Sequence, residues 1–263
     1  MAKYLFILFW FIFSVNVLPA TAQDTLTVMS YNIYHGEHYY ETGESNLQGI
    51  ADVINSVKPD LVALQEVDSL TGRSASFNGG RPVNQVEKLA ELTGMHGYFG
   101  KAMNYDGGGY GEGILAAKSI GTKRVDLPIP KGGEPRTLLL ARYPVNKQQF
   151  ITFGGTHLCH QHHENRIAQM KRINSFFSGS ETPAIIAGDF NFTPQQEPYQ
   201  LALKEWFDAA KLADKIVPTI PYDNPTSRID YIFLSGKSWE VIDMKVLREN
   251  NSDHMPIVLT LVI

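Results

Sequence analysis

Cysteine is almost absent from this 263-residue sequence, and clusters of basic residues are absent altogether. With Cys159 as the only cysteine, the chain cannot form an intramolecular disulfide, so its stability must come from its core. The 23 lysine and arginine residues stand against 27 acidic ones, and no run of them occurs. This argues against electrostatically driven, non-specific binding to nucleic acid or anionic lipid, although it leaves a local basic groove open.

Several catalytic motifs are also missing. The sequence has no G-x-S-x-G turn of a serine hydrolase and no Walker A loop. It has neither a cysteine cluster nor a short pair of histidines on a helix, which disfavours zinc. The glycine-rich stretch 107–109 does not match a dinucleotide-binding loop, and we interpret it as part of a flexible hinge or hairpin loop.

Long apolar runs are confined to the first residues. Lys3 precedes the apolar run 4–13, and an A-x-A pattern ends at Ala22, which together predict a secretory signal peptide over residues 1–22. A membrane anchor is the alternative, but the run falls short of the roughly 20 apolar residues that span a bilayer. We therefore expect a mature domain, residues 23–263, that is periplasmic or secreted and has no membrane span.

Hydrophobic periodicity predicts an α/β protein. Residues 26–33 alternate as a strand, residues 46–57 have helical spacing, and residues 61–64 form a short buried strand, which makes a β-α-β unit. Further predicted helices are 85–93, 162–177 and 198–206; predicted strands are 97–102, 113–117, 122–127, 138–142, 149–154, 184–187, 229–234, 238–248 and 256–263; predicted loops are 68–82, 105–111 and the irregular stretch 211–224. The many strands favour a four-layer α/β sandwich of two packed mixed sheets with helices outside.

The stretch 185–192 carries the most informative local pattern. An apolar run is broken by Gly188 and followed by Asp189, Phe190 and Asn191. Residues two apart in a strand share a face, so Asp189 and Asn191 should reach one pocket while Phe190 returns to the core. A carboxylate and an amide suit a hard cation or a phosphate oxygen. An Asx-type turn after a buried strand is the alternative.

Other polar residues also follow predicted strands. The set at or just past strand ends is Asn32, Glu66, His157, Asp189, Asn191, Asp230, Asp253 and His254. Ligand sites of layered α/β folds lie at such ends. The oxygen-rich set favours Mg²⁺, with Mn²⁺ or Ca²⁺ possible, and metal-assisted hydrolysis in which histidines stabilise or protonate oxygens.

Six short motifs carry a resemblance to a known family. In chain order they are Ser-Tyr-Asn-Ile (30–33), Leu-Gln-Glu-Val (64–67), Thr-His-Leu (156–158), Gly-Asp-Phe-Asn (188–191), Arg-Ile-Asp-Tyr (228–231) and Ser-Asp-His (252–254). This order resembles the endonuclease/exonuclease/phosphatase superfamily, which has the deoxyribonuclease I-like fold, over about residues 26–262. The resemblance implies a metal-dependent phosphoesterase.

The resemblance also implies roles for individual residues. Glu66 would be the main metal ligand, supported by Asn32 and Asp253. Asp189 would orient or deprotonate the attacking water, and Asn191 would hold the phosphate.

The remaining implied roles concern histidines and their partners. His254 would contact a phosphate oxygen, with Asp230 fixing its tautomer, and His157 would be the second imidazole. Glu112 stands where some members pair a glutamate with that histidine; its alternative is a solvated strand-end charge. Arg136, in a Glu-x-Arg element, could meet a phosphate or form a surface salt bridge.

One position departs from the family pattern. Relatives often have aspartate after Thr-His-Leu, whereas this chain has Cys159. We interpret the nearby His160, His162 and His163 as a helix N-terminus and solvated surface.

The resemblance leaves several substrate classes open. The superfamily includes nucleases, phosphoinositide phosphatases and sphingomyelinases, so nucleic acid, a phospholipid head group or a small phosphate ester is each a candidate. We see no apolar loop for docking to membranes, and cations that could line a groove are Arg73, Arg81, Lys101 and Lys131. A nuclease is the favoured subclass; a lipid or inositol phosphate phosphodiesterase or phosphatase, and a non-catalytic binding relative, are the alternatives. A monomer is the expected state.

Overall fold

Two six-stranded sheets form the centre of the computed structural model, which describes residues 25–146, 149–236 and 239–263. The predicted signal peptide therefore lies outside the described residues. The strands are β1 (Thr25–Asn32), β2 (Glu37–His38), β3 (Glu41–Ser45), β4 (Leu61–Ser69), β5 (His96–Tyr105), β6 (Gly108–Ala116), β7 (Gly121–Leu127), β8 (Arg136–Pro144), β9 (Phe150–His157), β10 (Ala184–Asp189), β11 (Phe207–Asp208), β12 (Asp230–Leu234), β13 (Glu240–Val246) and β14 (Ile257–Val262). The helices are α1 (Leu47–Val57), α2 (Gly72–Ser76), α3 (Gln85–Thr93), α4 (His163–Phe177), α5 (Glu197–Ala202) and α6 (Ala209–Leu212), with a 3-10 turn at Tyr34–Gly36.

Each large sheet contains one parallel pair joined by a helix. The first sheet has the order β13-β14-β1-β4-β6-β5, and α1 connects the parallel strands β1 and β4. The second sheet has the order β11-β12-β10-β9-β8-β7, and α4 connects the parallel strands β9 and β10. The other pairings are antiparallel, so both sheets are mixed, as predicted.

Strand alternation builds the layers. In β1, Leu26 and Val28 belong to the core between the sheets, whereas Met29 and Tyr31 belong to the core under α1 and α3. The second sheet likewise shares one face with the central core and covers the other with α4 and α5. Successive side chains of a strand point to opposite faces, so the apolar stretches can serve two cores. The predicted four-layer sandwich is confirmed.

Three predicted loops contain regular structure. The predicted loop 68–82 includes the end of β4 and helix α2. Asp68 at the strand end binds Arg73 of the helix through two contacts of 2.8 and 2.9 Å, which hold the two elements together. The predicted flexible loop 105–111 is a tight hairpin between β5 and β6. There, a Cβ on Gly111 would lie 2.2 Å from the carbonyl oxygen of Gly100, so glycine permits the close approach of the strands. The last two residues of helix α6, Lys211 and Leu212, fall inside the stretch 211–224 that was predicted as irregular.

Two smaller features also differ from prediction. The ribbon of β2 and β3 was not predicted, and α5 ends at Ala202 rather than at residue 206. Within the described ranges, no helix combines the length and hydrophobicity needed to cross a membrane.

Candidate active site

Strand register brings the predicted polar residues to one edge of the sandwich. Asp189 ends β10 and lies opposite His157 of β9 on one side and Asp230 of β12 on the other. Asn32 ends β1 of the first sheet, and His254 precedes β14 of the same sheet. The two sheets therefore meet at Asp189.

Asp189 contacts three of the predicted site residues through one oxygen. Its Oδ2 lies 3.2 Å from Asn32 Nδ2, 3.4 Å from His157 Nε2 and 3.7 Å from His254 Nε2. The side chain is buried, and burial raises the pKa of Asp189, with the positive charge of His254 opposing that rise in part. A buried carboxylate that holds its proton more firmly than usual is a suitable base for water.

The backbone around Asp189 explains this placement. A Cβ on Gly188 would lie 1.9 Å from the carbonyl oxygen of Thr156, so only glycine lets β10 approach β9 here. Phe190 is fully buried in the aromatic core under α4, as predicted.

Asn191 leaves the strand with a left-handed φ of 50°, which breaks the alternation from which its orientation was predicted. Its N–H donates to Asp189 Oδ1 at 2.9 Å, and its side-chain amide donates to the carbonyl of Leu158 at 3.1 Å. The Asx-type turn is therefore present, and Asp189 belongs to the site as well.

His254 is held by a carboxylate on its far side. Its Nδ1 lies 3.1 and 3.0 Å from the two oxygens of Asp230, and Thr219 Oγ1 donates to Asp230 Oδ2 at 2.6 Å. Burial lowers the pKa of His254, but the charges of Asp230 and Asp189 outweigh burial and raise it to about 10. His254 is therefore an imidazolium at neutral pH. The implied contact with Asp230 is present, but it orients a ring that is protonated on both nitrogens rather than fixing a tautomer. The implied contact with a phosphate oxygen stays a prediction.

His157 is held differently, by a cation. Arg136 Nη1 lies 3.2 Å from its Nδ1, and burial together with Arg136 lowers the pKa of His157 well below its usual value. Because an arginine can only donate, Nδ1 of the neutral ring must accept, and the ring proton is on Nε2, facing Asp189. Arg136 also donates to His160 Nδ1 at 3.0 Å and pairs with Glu134 at 2.8 Å. Arg136 does form a salt bridge, but its side chain is buried, so the predicted alternative of a salt bridge at the surface is wrong.

Glu112 is fully buried below these residues, so its interpretation as a solvated charge is wrong. Burial raises its pKa to about 8, although Arg136 opposes this, and Glu112 is mostly protonated at neutral pH. The expected pairing with the imidazole of His157 does not form, because Nδ1 of that ring faces Arg136. Glu112 instead accepts a hydrogen bond from the backbone of His157.

Glu66 occupies a bulge in β4. The register with β6 shifts between Leu64 and Val67, and Glu66 has a left-handed φ of 60°. The bulge re-aims the side chain, so that Oε1 lies 3.1 Å from Asn32 Nδ2 and Oε2 lies 3.5 Å from His35 Nδ1. Burial opposes ionisation, but hydrogen bonds from His35 and Asn32 and the positive charge of His254 hold the pKa of Glu66 well below its ordinary value. Glu66 is thus an ionised carboxylate that is partly open to solvent.

A family model described as the Endonuclease/Exonuclease/phosphatase family matches residues 29–254. The chain belongs to this family. Its members are generally phosphoesterases that use divalent metal ions. A search of curated protein sequences found no match.

Solved structures agree on the fold. The chain is similar to an endonuclease/exonuclease/phosphatase from Beutenbergia cavernae, with 24% identity, a TM-score of 0.76, and coverage of 92% of this chain and 72% of that one. It is also similar to a mannosyl-6-phosphatase from Bacteroides thetaiotaomicron (20% identity, TM-score 0.73, coverage 90% and 100%). The catalytic domain of human nocturnin, solved with a sulfate anion, is a third (19% identity, TM-score 0.69, coverage 92% and 96%).

The donor set around Glu66 fits the divalent metal that the family uses. Glu66 contributes an ionised carboxylate, and Asp253, whose pKa is raised by burial, is a second oxygen donor that interacts with it. Asn32 is arranged differently from a direct ligand, because its Oδ1 accepts the N–H of Tyr34 at 3.2 Å. Its NH₂ group instead bridges Glu66 and Asp189. Direct ligation by Asn32 stays a prediction.

A second group of potential ligand atoms consists of Asp189, Asp230 and His254, which lie within 4.8 Å of one another. Both nitrogens of His254 face carboxylates, and an imidazolium has no lone pair for a metal. We therefore interpret this group as a hydrogen-bonded one, and metal binding by Glu66 stays a prediction.

Sequence reasoning missed two contributors. His35 contacts Glu66 and also lies 2.9 Å from Glu37, and Thr219 supports Asp230 from the stretch predicted as irregular. His35 follows Asn32 in a polar cluster after β1, which was the available signal. Nothing in the local pattern of residues 211–224 pointed to Thr219. His162 and His163 lie at the start of α4, as predicted, whereas the exposed His160 also contacts Arg136.

Proposed function

We propose that this protein is a Mg²⁺-dependent phosphoesterase that hydrolyses its substrate with an activated water molecule. One observation carries the proposal. The buried Asp189 carboxylate faces two imidazoles, of which one is a neutral N–H donor and the other is a cation. A base for water and two hydrogen-bond donors for phosphate oxygens thus lie next to one another.

The proposed reaction follows from these charges. Asp189 accepts the proton of a water molecule whose oxygen bonds to phosphorus, while the ester P–O bond breaks. The leaving oxygen takes a proton from solvent water, and Asp189 then releases its proton to solvent. The Nε2 atoms of His157 and His254 donate to phosphate oxygens; their present distances of 3.4 and 3.7 Å to Asp189 are long for hydrogen bonds. Asn191 holds the phosphate beside them.

Other residues prepare the site. Glu66 and Asp253 would hold Mg²⁺, with Mn²⁺ or Ca²⁺ as alternatives, and Asn32 orients the carboxylates. When bound, the cation would neutralise phosphate charge. Arg136 fixes the tautomer of His157, and the mostly protonated Glu112 accepts a hydrogen bond from the backbone of His157.

The sequence favoured nucleic acid as the substrate class. The charges around the site instead favour a small phosphate ester. Arg73 is bound by Asp68, Arg136 by Glu134, and Lys131 lies 3.8 Å from Glu164. Binding of a polymer depends on several cations that neutralise successive phosphates. These three are paired with acidic residues of the chain, which weakens their contribution to binding a polymer. Similar folds belong to a mannosyl-6-phosphatase and to ANGEL2, a 2′,3′-cyclic phosphatase, which is consistent with small or terminal phosphates.

A substrate panel tests the proposal. Purified protein is incubated with Mg²⁺ and bis-p-nitrophenyl phosphate, sugar phosphates, DNA, RNA, inositol phosphates and sphingomyelin. We expect turnover that Asp189→Asn and His254→Ala lower at least a hundredfold. Asp243→Asn is the matched control, because Asp243 pairs with the exposed Lys245 on the outer strand β13. Turnover that is equal in wild type and both site variants would refute the proposal, and turnover of DNA or RNA alone would restore the nuclease.

We also propose that the chain is exported as a monomer after cleavage near Ala22. The support is the charged, apolar and small-residue pattern of residues 1–22. Mass spectrometry of the protein from a secreting host should find a chain that begins at Gln23. A chain that keeps residues 1–22 would contradict cleavage.

A further inference from the structure

Four tyrosines lie in a row beside the proposed metal residues. His35, which contacts Glu66, lies with its ring centre 4.4 Å from that of Tyr34. Tyr34 is 5.7 Å from Tyr39, Tyr39 is 5.0 Å from Tyr40, and Tyr40 is 6.4 Å from Tyr222. We call the four residues Tyr34, Tyr39, Tyr40 and Tyr222 the tyrosine wall.

The wall joins the site at both ends. Tyr222 N–H donates to the backbone carbonyl of Asp253 at 2.8 Å, while Tyr34 N–H donates to Asn32 Oδ1. A group attached to a phosphate at Asp189 would therefore leave the site along these rings.

The rings of the wall meet edge to face. The planes of Tyr34 and Tyr39 cross at 88°, those of Tyr39 and Tyr40 at 70°, and those of Tyr40 and Tyr222 at 80°. In this arrangement the rings do not stack face to face on one another, and 51% of Tyr40 is exposed. Aromatic residues with one wet and one apolar side are typical of surfaces that bind amphipathic ligands.

A carboxylate stands beside Tyr39 and Tyr40 of the wall. Asp223 is exposed, accepts the hydroxyl of Tyr39 at 3.4 Å through Oδ2, and accepts the hydroxyl of Tyr40 through Oδ1. An ionised carboxylate can only accept hydrogen bonds, so it selects ligand hydroxyls or amines that replace the tyrosine hydroxyls.

The tyrosine wall and the Asp223 carboxylate together favour one class of ligand. A polynucleotide or a second phosphate would be repelled by Asp223, and Arg248, which could offset that charge, already lies over Tyr222 at 5.3 Å. A sugar ring offers both a C–H face for the tyrosines and neighbouring hydroxyls for the carboxylate. We propose that the tyrosine wall and Asp223 form a subsite for the sugar ring of a hexose phosphate; this rests on the proposed phosphoesterase function.

Kinetics with matched leaving groups test the subsite. Mannose 6-phosphate, glucose 6-phosphate, adenosine 5′-monophosphate and ethyl phosphate all release a primary alkoxide, and only ethyl phosphate lacks a ring. We expect kcat/KM for at least one hexose phosphate to exceed that for ethyl phosphate by tenfold or more. Tyr40→Ala and Asp223→Asn should each lower this ratio by about tenfold, because one ring contact or one charged acceptor is lost.

The controls separate the outcomes. Phe207→Ala removes a ring of similar exposure from the edge strand β11 and should leave the ratio unchanged. Ethyl phosphate turnover with no hexose preference, or a preference that both variants keep, overturns the subsite and leaves the phosphoesterase intact. A preference for adenosine 5′-monophosphate that Tyr40→Ala abolishes overturns the sugar in favour of a base.

Binding decides the matter if no ester is turned over, which would be a failure of the proposed function. Titration of the Asp189→Asn protein with hexose 6-phosphates, followed by calorimetry, should then show binding at least tenfold tighter than that of ethyl phosphate. Equal affinities would overturn the subsite independently of catalysis.

Discussion

Replacing Asp230 by asparagine should remove the charge that keeps His254 protonated. Both oxygens of Asp230 lie within 3.1 Å of His254 Nδ1, and the pair is buried. Asparagine keeps the shape and one acceptor but loses the negative charge. We therefore expect the ring of His254 to stay in place while its pKa falls.

The size of the effect follows from the charge balance. The ordinary pKa of histidine, 6.5, is raised to about 10 at His254. This rise corresponds to about 5 kcal/mol of preference for the imidazolium, net of burial, which acts in the opposite direction. Asp230 is the largest of the contributions that raise the pKa, ahead of Asp189. Its removal should lower kcat/KM by about 10²- to 10⁴-fold at pH 8, as loss of a partner carboxylate does at other catalytic histidines.

Two measurements follow the change. The imidazole signals of His254 in an NMR pH titration should show a lower pKa, and the alkaline limb of the kcat/KM profile should move to lower pH. Thr219→Val is the control, since it removes the 2.6 Å hydrogen bond to Asp230, with the longer contacts of the hydroxyl to the N–H groups of Ile229 and Asp230, and keeps the charge. An Asp230→Asn protein with the titration and alkaline limb of the wild type would refute the reasoning.

Three further perturbations have defined outcomes. Glu112→Gln should remove a pH dependence of stability: burial raises the Glu112 pKa from 4.5 to about 8, so the folded chain keeps a proton that the unfolded chain loses, and wild-type thermal stability should fall across that interval. Identical slopes in both proteins between pH 5 and 9 would contradict this. EDTA should abolish turnover and Mg²⁺ should restore it; Glu66→Gln should prevent Mg²⁺-induced thermal stabilisation, and an unchanged Mg²⁺ shift would exclude Glu66 as the ligand. Arg136→Leu should raise the pKa of His157 in an NMR titration, because a nearby positive charge is removed; no change would show that burial alone sets it.

The elements that the sequence predicted well are those whose pattern is local. Helical spacing in residues 46–57 and 162–177 reflects one buried face of each helix, and the pattern of residues 26–33 is that of a strand; all three elements formed. The position of Asp189 was also readable, because a glycine and a polar residue after an apolar run mark a strand end.

The parts that escaped prediction depend on distant contacts or on unusual backbone. The bulge that aims Glu66 needs the register of β6, and the left-handed turn at Asn191 overrides simple alternation. The ring orientation of His157 depends on Arg136, a residue 21 positions earlier that lies on the adjacent strand. Tertiary pairing of this kind leaves no periodic signal in one sequence.

The division of the site between the two sheets has a consequence for how the protein loses activity. Asn32, Glu66 and His254 come from the first sheet, whereas His157, Asp189 and Asp230 come from the second. The contacts of Asn32 with Asp189 and of His254 with Asp230 therefore connect the two sheets at the edge of the core between them. Slippage of one sheet over the other by about an ångström would separate them while most strand pairing persists. Heat inactivation should accordingly precede the loss of β-structure, and turnover would report how tightly the halves of the sandwich are registered.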